Sequence, residues 1–375
     1  MITLVFASFA LVVFMDKASN DLLVEQRDAE TRRLRVEAYS ALEVTLGVLE
    51  EFRQANNGLR SPAEGWSDPL AFAEYEPREG RKVTISFEDE SGKISLPRVT
   101  APVLTALFKN WDLPENEAES LTDALMGWMK KEHVYSTGLF PSYEQSATPY
   151  EEPRRSLRSF HELAAIDKVR EAFFGEDGRP NELWHRFVDT VSLLDFPSSN
   201  INGAKSGALA ALGQFDETQQ RGVADYLQGK GAYEGQGARY FREPTEVQQI
   251  AGGTGNAGAF TSNITALRIF VTVQDGRSEF RLAAVITPPN GAKTVQTTAT
   301  EQKAVTPPTS GADPGAKQDA AGAAQAANPG NARAKQDGPG AAGGANNRNL
   351  RYPFTLLEIR ENDEIPSAPV AENSE

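Results

Sequence analysis

Few residues in this chain are of the types that do chemistry, and their spacing is incomplete. There are three histidines, His133, His161 and His185, and no cysteine among 375 residues. That excludes a thiol nucleophile, a disulfide and a cysteine-based zinc site, and it disfavours a histidine-rich metal centre. Gly253-Thr254-Gly255-Asn256-Ala257-Gly258 has the spacing of a dinucleotide fingerprint. That motif works only after a strand and at the start of a helix. Here it follows a helical pattern and precedes a strand, so it reads as a joint between segments. Gly92-Lys93 and Gly203-Ala204-Lys205-Ser206 are fragments of a phosphate loop without its full spacing. His161-Glu162 lacks the second histidine of a metalloprotease helix, and no Gly-x-Ser-x-Gly elbow is present. Carboxylates cluster at Glu88-Asp89-Glu90 and at Glu144, Glu151 and Glu152. Oxygen ligands of this kind could bind calcium, and a solvated acidic loop is the plainer reading. The net charge of −14 disfavours nonspecific binding of nucleic acid, which needs a basic footprint.

The elements that would carry these residues begin with one long helix over 1–56. Ile2, Leu4, Val5, Phe6, Phe9, Leu11, Val12, Val13 and Phe14 make its start apolar. These residues are the candidate membrane anchor. The run is shorter than the ~20 residues of a spanning helix. Either the run is a monotopic anchor or, as we expect, Met1 lies inside a longer apolar segment, with a basic leader encoded upstream. Beyond Asp16-Lys17 the helix is charged, then amphipathic. Leu34, Leu42, Leu46, Leu49 and Phe52 recur at helical steps with Val36 on the flank, and these six are the candidate assembly interface. The stop is expected near Asn56-Asn57-Gly58.

A turn-rich stretch follows over 58–80. Residues 82–96 then alternate in the manner of a hairpin about Glu90-Ser91-Gly92-Lys93. From 101 to 251 the pattern is helical, with helices expected at 103–111, 115–131, 159–174, 182–194, 204–212, 217–227 and from 245. A loop is expected over 135–153. Ser159-Phe160-His161-Glu162 has the form of a capping box. Strands return at 266–273 and 279–286, with Asp275-Gly276 between them, a strong hairpin signal. Residues 288–349 are rich in Ala, Gly, Pro, Asn and Gln, and such a composition predicts a segment without fixed structure. Strand character returns over 352–359. The organisation is α+β: a long N-terminal helix on an antiparallel sheet, with a helical insertion and a low-complexity insertion before the last strand. The segments run 1–56, 57–100, 101–251, 252–287, 288–349 and 350–375.

The order of these parts resembles protein K, the minor pseudopilin of type II (general) secretion. The residues that carry the resemblance begin with Asp89-Glu90-Ser91-Gly92-Lys93-Ile94-Ser95-Leu96. They continue with Ala124-Leu125-Met126-Gly127-Trp128-Met129-Lys130, Pro149-Tyr150 and Phe160-His161-Glu162-Leu163. Asn200-Ile201-Asn202 before Ala208-Leu209-Ala210-Ala211-Leu212 and the closing hairpin over 267–286 complete it. The resemblance covers roughly residues 2–286. It implies a non-enzymatic protein at the tip of a periplasmic pseudopilus. The protein would be held in the inner membrane by one helix, with I-like and J-like minor pseudopilins as partners. No cofactor, nucleic acid or small-molecule substrate is implied. Some members bind calcium in the helical insert, but here Lys130 and Lys131 replace the acidic residues expected after the tryptophan. Two other classes stay open on the residues alone. One is a helix–hairpin–helix nucleic-acid binder using the turns at Gly203 and Gly229. The other is a membrane-anchored hydrolase, which would need a concave site with converging polar groups.

Overall fold

A computed structural model describes residues 2–138, 143, 149–253, 255–295 and 353–365. Helix α1 runs unbroken over Ile2–Asn56, as a stretch free of proline and nearly free of glycine allows. It stops where Asn57 and Gly58 turn left-handed, at φ of 53° and 143°, and the Gly58 N–H returns to the Arg53 carbonyl. The short helix α2 (Pro69–Phe72) follows, capped by the Asp68 carboxylate.

The sheet contains β1 (Lys82–Asp89), β6 (Leu267–Asp275), β7 (Ser278–Thr287) and β8 (Thr355–Glu361), in the spatial order β1-β6-β7-β8. Every neighbouring pair is antiparallel. One face is apolar because alternate residues of each strand point the same way. Ile269, Val271, Val273, Phe280, Leu282, Ala284 and Ile286 line it, and α1 lies across it with Leu34, Ala38, Ala41, Leu42, Leu46 and Leu49. Trp66 is wholly buried in this core, with its ring edge-on to Phe87 at 5.0 Å. The β6–β7 turn is the one expected, with Gly276 at φ 58°.

The expected hairpin over 82–96 does not form. The β1 strand pairs instead with β6, from Lys82 opposite Gln274 to Asp89 opposite Leu267. The chain leaves the sheet at a 3-10 turn over Glu90–Gly92, and β2 (Ile94–Ser95) runs parallel to β3 (Val191–Ser192). A turn that would close a hairpin and a turn that ends a strand share the same local chemistry.

The helices are α3 (Ala101–Asn110), α4 (Glu115–Met129), α5 (Asp167–Phe173), α6 (Glu182–Thr190), α7 (Ser206–Gly213), α8 (Glu217–Gln228) and α9 (Val247–Ala251). The first four, with α7, enclose a core of Leu104, Phe108, Leu121, Leu125, Phe173 and Phe187. A second, smaller core gathers Ile201, Leu209, Phe215, Val223, Phe241 and Phe260. Strands β4 (Ser199–Asn200) and β5 (Phe260–Thr261) pair in parallel beside it.

Three further expectations are corrected. The capping box at Ser159 is out of step. Its hydroxyl accepts from the His161 N–H, while Glu162 accepts from the Arg158 N–H and pairs with Arg155, so residues 160–165 form a 3-10 helix and α5 begins only at Asp167. The glycine-rich link is docked and is no free joint. The Asn256 N–H reaches the Gly213 carbonyl at 2.8 Å, and a Cβ on Gly255 would stand 2.4 Å from the Phe215 ring. The start of the low-complexity segment is built into the fold. Ala292 is buried, and Lys293 exchanges two backbone hydrogen bonds with Asp195. Residues 296–349 lie outside the described residues.

Candidate assembly site

The six interface candidates on α1 divide. Leu34, Leu42, Leu46 and Leu49 are buried against the chain's own sheet, at 0–5% exposure, and present no surface to a partner. Phe52 is half-buried and meets Phe72 edge-on at 5.2 Å. Only Val36, 61% exposed, stands clear. Periodicity identified the stripe correctly but could not say which surface covers it. Among the anchor candidates Phe9, Leu11, Val13 and Phe14 are exposed on the helix. The side chains of Ile2, Leu4, Val5, Phe6 and Val12 lie outside the described residues. Among the described residues no helix is long and apolar enough to cross a membrane.

Sequence reasoning missed the polar ties that hold α1 to the sheet. Glu37 is buried, accepts from the Tyr75 hydroxyl and pairs with Arg81 at 3.3 Å, and Arg81 also reaches Asp275 at 3.2 Å. Burial, and then the Glu37 carboxylate, push the Tyr75 phenol up to about 12. Near the other edge of the sheet, Arg35 pairs with Glu361 of β8 at 2.9 Å and Tyr39 donates to the same carboxylate. A charged residue at a helical step beside an apolar stripe is the available signal for such ties, but its partner lies far away in sequence.

The acidic motif 88–90 is a joint between the sheet and the helical block. The Asp89 carboxylate accepts from the Ser91 N–H at 2.9 Å, the Ser91 hydroxyl at 2.6 Å and the Asn200 amide at 2.7 Å. Desolvation pushes Asp89 up to about 7 against those hydrogen bonds. The backbone of Gly92 passes so close to Gly203 that a Cβ there would stand 2.3 Å from the Gly203 carbonyl. Only glycine permits that approach. Glu90 is buried with Lys93 and Arg268, the latter at 2.6 Å, and Lys93 also meets Glu88 at 2.8 Å. Burial disfavours the charged forms, but the mutual charges outweigh it, so Glu90 is held below and Lys93 above the usual range. Lys93 is thus committed to carboxylates, as is Lys205 to Asp189, and neither continues a phosphate loop.

The second carboxylate centre is Asp123, midway along α4. It accepts from His133 at 2.9 Å and from the backbone and hydroxyl groups of Ser136 and Thr137. Burial pushes its carboxyl up, and those hydrogen bonds outweigh burial and hold it below the usual range. The loop after α4 is thereby pinned by direct hydrogen bonds. Tyr135 donates to Glu152, and Lys130 donates to the Pro97 carbonyl at 2.6 Å. The other histidines pack locally, His161 on Ser159 and His185 on Trp184. Among the described residues no group of three or more histidine, aspartate and glutamate side chains could hold a metal. Glu144 lies outside them. The turn amides that a helix–hairpin–helix reading requires are already spent. The Gly203 N–H donates to the Asn200 carbonyl and the Gly229 N–H to that of Tyr226.

Comparison with known proteins bears on the same region. The family model of type II secretion system (T2SS) protein K matches residues 88–176. Among solved structures, a chain of the GspK-GspI-GspJ complex from the enterotoxigenic Escherichia coli type 2 secretion system is similar. The similarity spans 72% of this chain and 97% of that one, with 15% identity and a TM-score of 0.49. No curated protein matches the sequence. From the end of β1 through the joint to α5, then, the chain is similar to type II secretion system protein K, the family that its motifs resemble.

Proposed function

We propose that this protein is a minor pseudopilin that stands at the tip of a type II secretion pseudopilus and serves as an assembly subunit rather than an enzyme. The observation that carries the reading is the family match over 88–176, which falls on the joint and the first helices of the block. Two features support it. Helix α1 continues well beyond the sheet, with an apolar start suited to a lipid or a fibre core, since both environments are apolar. The helical block is bulky and tied rigidly to β1 through Asp89, Asn200 and the Gly92–Gly203 contact, as a cap above a fibre must be. The partners are I-like and J-like minor pseudopilins. The inner membrane holds the apolar start, and the bulk of the chain lies in the periplasm. The test mixes the part of the chain from residue 25 onward with the pseudopilins of its own genome. A stoichiometric complex by size exclusion with light scattering is expected. A chain that stays monomeric with all of them sinks the reading.

A further inference from the structure

Helix α4 and the strap that follows it over 130–137 are closed on each other by the protein's own donors. The Asp123 side chain is 4% exposed. Ser136 and Thr137 each donate to its Oδ2, from the backbone N–H at 2.7 and 2.8 Å and from the hydroxyl at 3.1 and 2.8 Å. His133 Nε2 stands 2.9 Å from Oδ1. An ionised carboxylate offers about four lone-pair sites, and these five groups occupy them. A second clamp lies one turn further along the helix. A Cβ on Gly127 would collide with the Tyr135 hydroxyl and ring, so only glycine admits that ring against α4. Tyr135 then reaches Glu152, at the far side of the following loop.

The resemblance to protein K implies calcium in the helical insert of some members, and the residues here do not fit that ion. Calcium takes about six to eight oxygen ligands, carboxylates prominent among them. Asp123 has no lone pair to spare. Glu152 receives Tyr135, and Glu162 is held by Arg155 at 3.0 Å and by the Arg158 N–H at 2.9 Å. Where acids are expected after Trp128, Lys130 gives its ammonium to the Pro97 carbonyl at 2.6 Å, and Lys131 is exposed. We propose that Asp123 is the positioning residue of a strap that orders this side of the helical block in place of a bound cation, so that the block keeps its structure with or without calcium. A cation orders a loop by gathering carboxylates around itself. The strap reverses the arrangement and gathers donors around one carboxylate. No like charges are then brought together, and a chelator has nothing to release. The donors lie only 10–14 residues beyond Asp123, so closing the strap costs little chain entropy. The proposal concerns the block alone, and the assembly reading stands or falls separately.

The test is amide hydrogen exchange over 123–137, read by mass spectrometry on the full chain in detergent micelles. It is run in excess EDTA and in ~5 mM calcium, which is above the affinity of ordinary extracellular sites. A calcium ion bound at such a site would slow local opening by about sixfold to fiftyfold at that concentration. The wild-type strap is expected to change by less than ~twofold. Asp123→Asn should speed exchange at Ser136 and Thr137 by about tenfold or more, because several donors lose a charged acceptor, and calcium should not restore it. Thr137→Val removes a single hydroxyl donor at a half-buried position. It should act in the same direction by several-fold, with circular dichroism unchanged, and it carries the test where Asp123→Asn does not fold. A wild-type strap slowed more than ~twofold by calcium overturns the replacement of the cation. Variants that exchange like wild type overturn the role of Asp123.

Discussion

The two halves of α1 are the same helix in different surroundings. From residue 9 to residue 33 the described side chains are exposed, Glu30 alone being half-buried. From Leu34 onward, one side is buried against the sheet. Apolar content does not separate them, because the first fourteen residues are the most apolar stretch of all. Distribution around the axis does. Residues 2–15 are apolar on every side, which suits a surrounding apolar medium, whereas residues 34–49 are apolar on one stripe, which suits a single sheet face. Half of one element is therefore made for the fold, and the other half for what lies outside it.

The largest effect expected of a substitution that breaks this contrast is at Leu49. Leu49→Asp places a carboxylate where nothing can solvate it, and a loss on the order of 4 kcal/mol or more should appear as a collapse of the thermal transition. An unchanged melting temperature would show that α1 is not docked on the sheet. Next comes Arg81→Ala, which strips a buried carboxylate, Glu37, of its cationic partner. About 3 kcal/mol should be lost in a urea melt, and a loss below ~0.5 kcal/mol would mean that the tie is ornamental. Tyr75→Phe is milder, about 1–2 kcal/mol, because one donor to Glu37 is removed. Its pH dependence sharpens the test. The phenol is raised in the fold from an ordinary 10 to about 12. Its contribution is thus complete below pH ~10 and lost as pH rises through about 12, so the wild-type advantage over Tyr75→Phe should narrow across that window. A difference that stays constant there would remove the Glu37–Tyr75 contact as its cause. The smallest effect on stability belongs to Val36→Glu, on the exposed side of the helix, within ~0.5 kcal/mol by circular dichroism. On the proposed function the same variant should weaken the complex with pseudopilins, and full binding would place the interface elsewhere.

Elements with a strong local period were legible in the sequence. The extent of α1, its stop at Asn57-Gly58 and the Asp275-Gly276 turn were read from local residues alone. What local pattern could not supply was pairing over distance. The β1 strand was matched to its own continuation because its true partner, β6, begins 178 residues after Asp89. At the candidate site, the motif around Asp89 was visible as an acidic cluster, but its meaning was not. Its carboxylate accepts from Ser91 and Asn200 and so ties the end of β1 to the helical block. Composition also misread Ala292 and Lys293, where two backbone hydrogen bonds to Asp195 order a stretch read as the start of an insertion without fixed structure.

That long-range pairing governs the order in which the molecule can be completed. Loop closure over a gap of that length costs little more than over a gap half as long, so the delay is one of supply rather than of free energy. At ~5–20 residues per second, roughly ten to thirty-five seconds of synthesis separate the end of β1 from the start of β6. Throughout that interval the apolar stripe of α1 has no sheet to cover it, because β6 and β7 supply most of that face. The helical block lies wholly within the gap and has a core of its own, so it can fold while α1 waits. The part of the sheet core that is made first is then the last to be covered. The interval between those events is when α1 is most open to a chaperone, to aggregation, or to early pairing with another subunit.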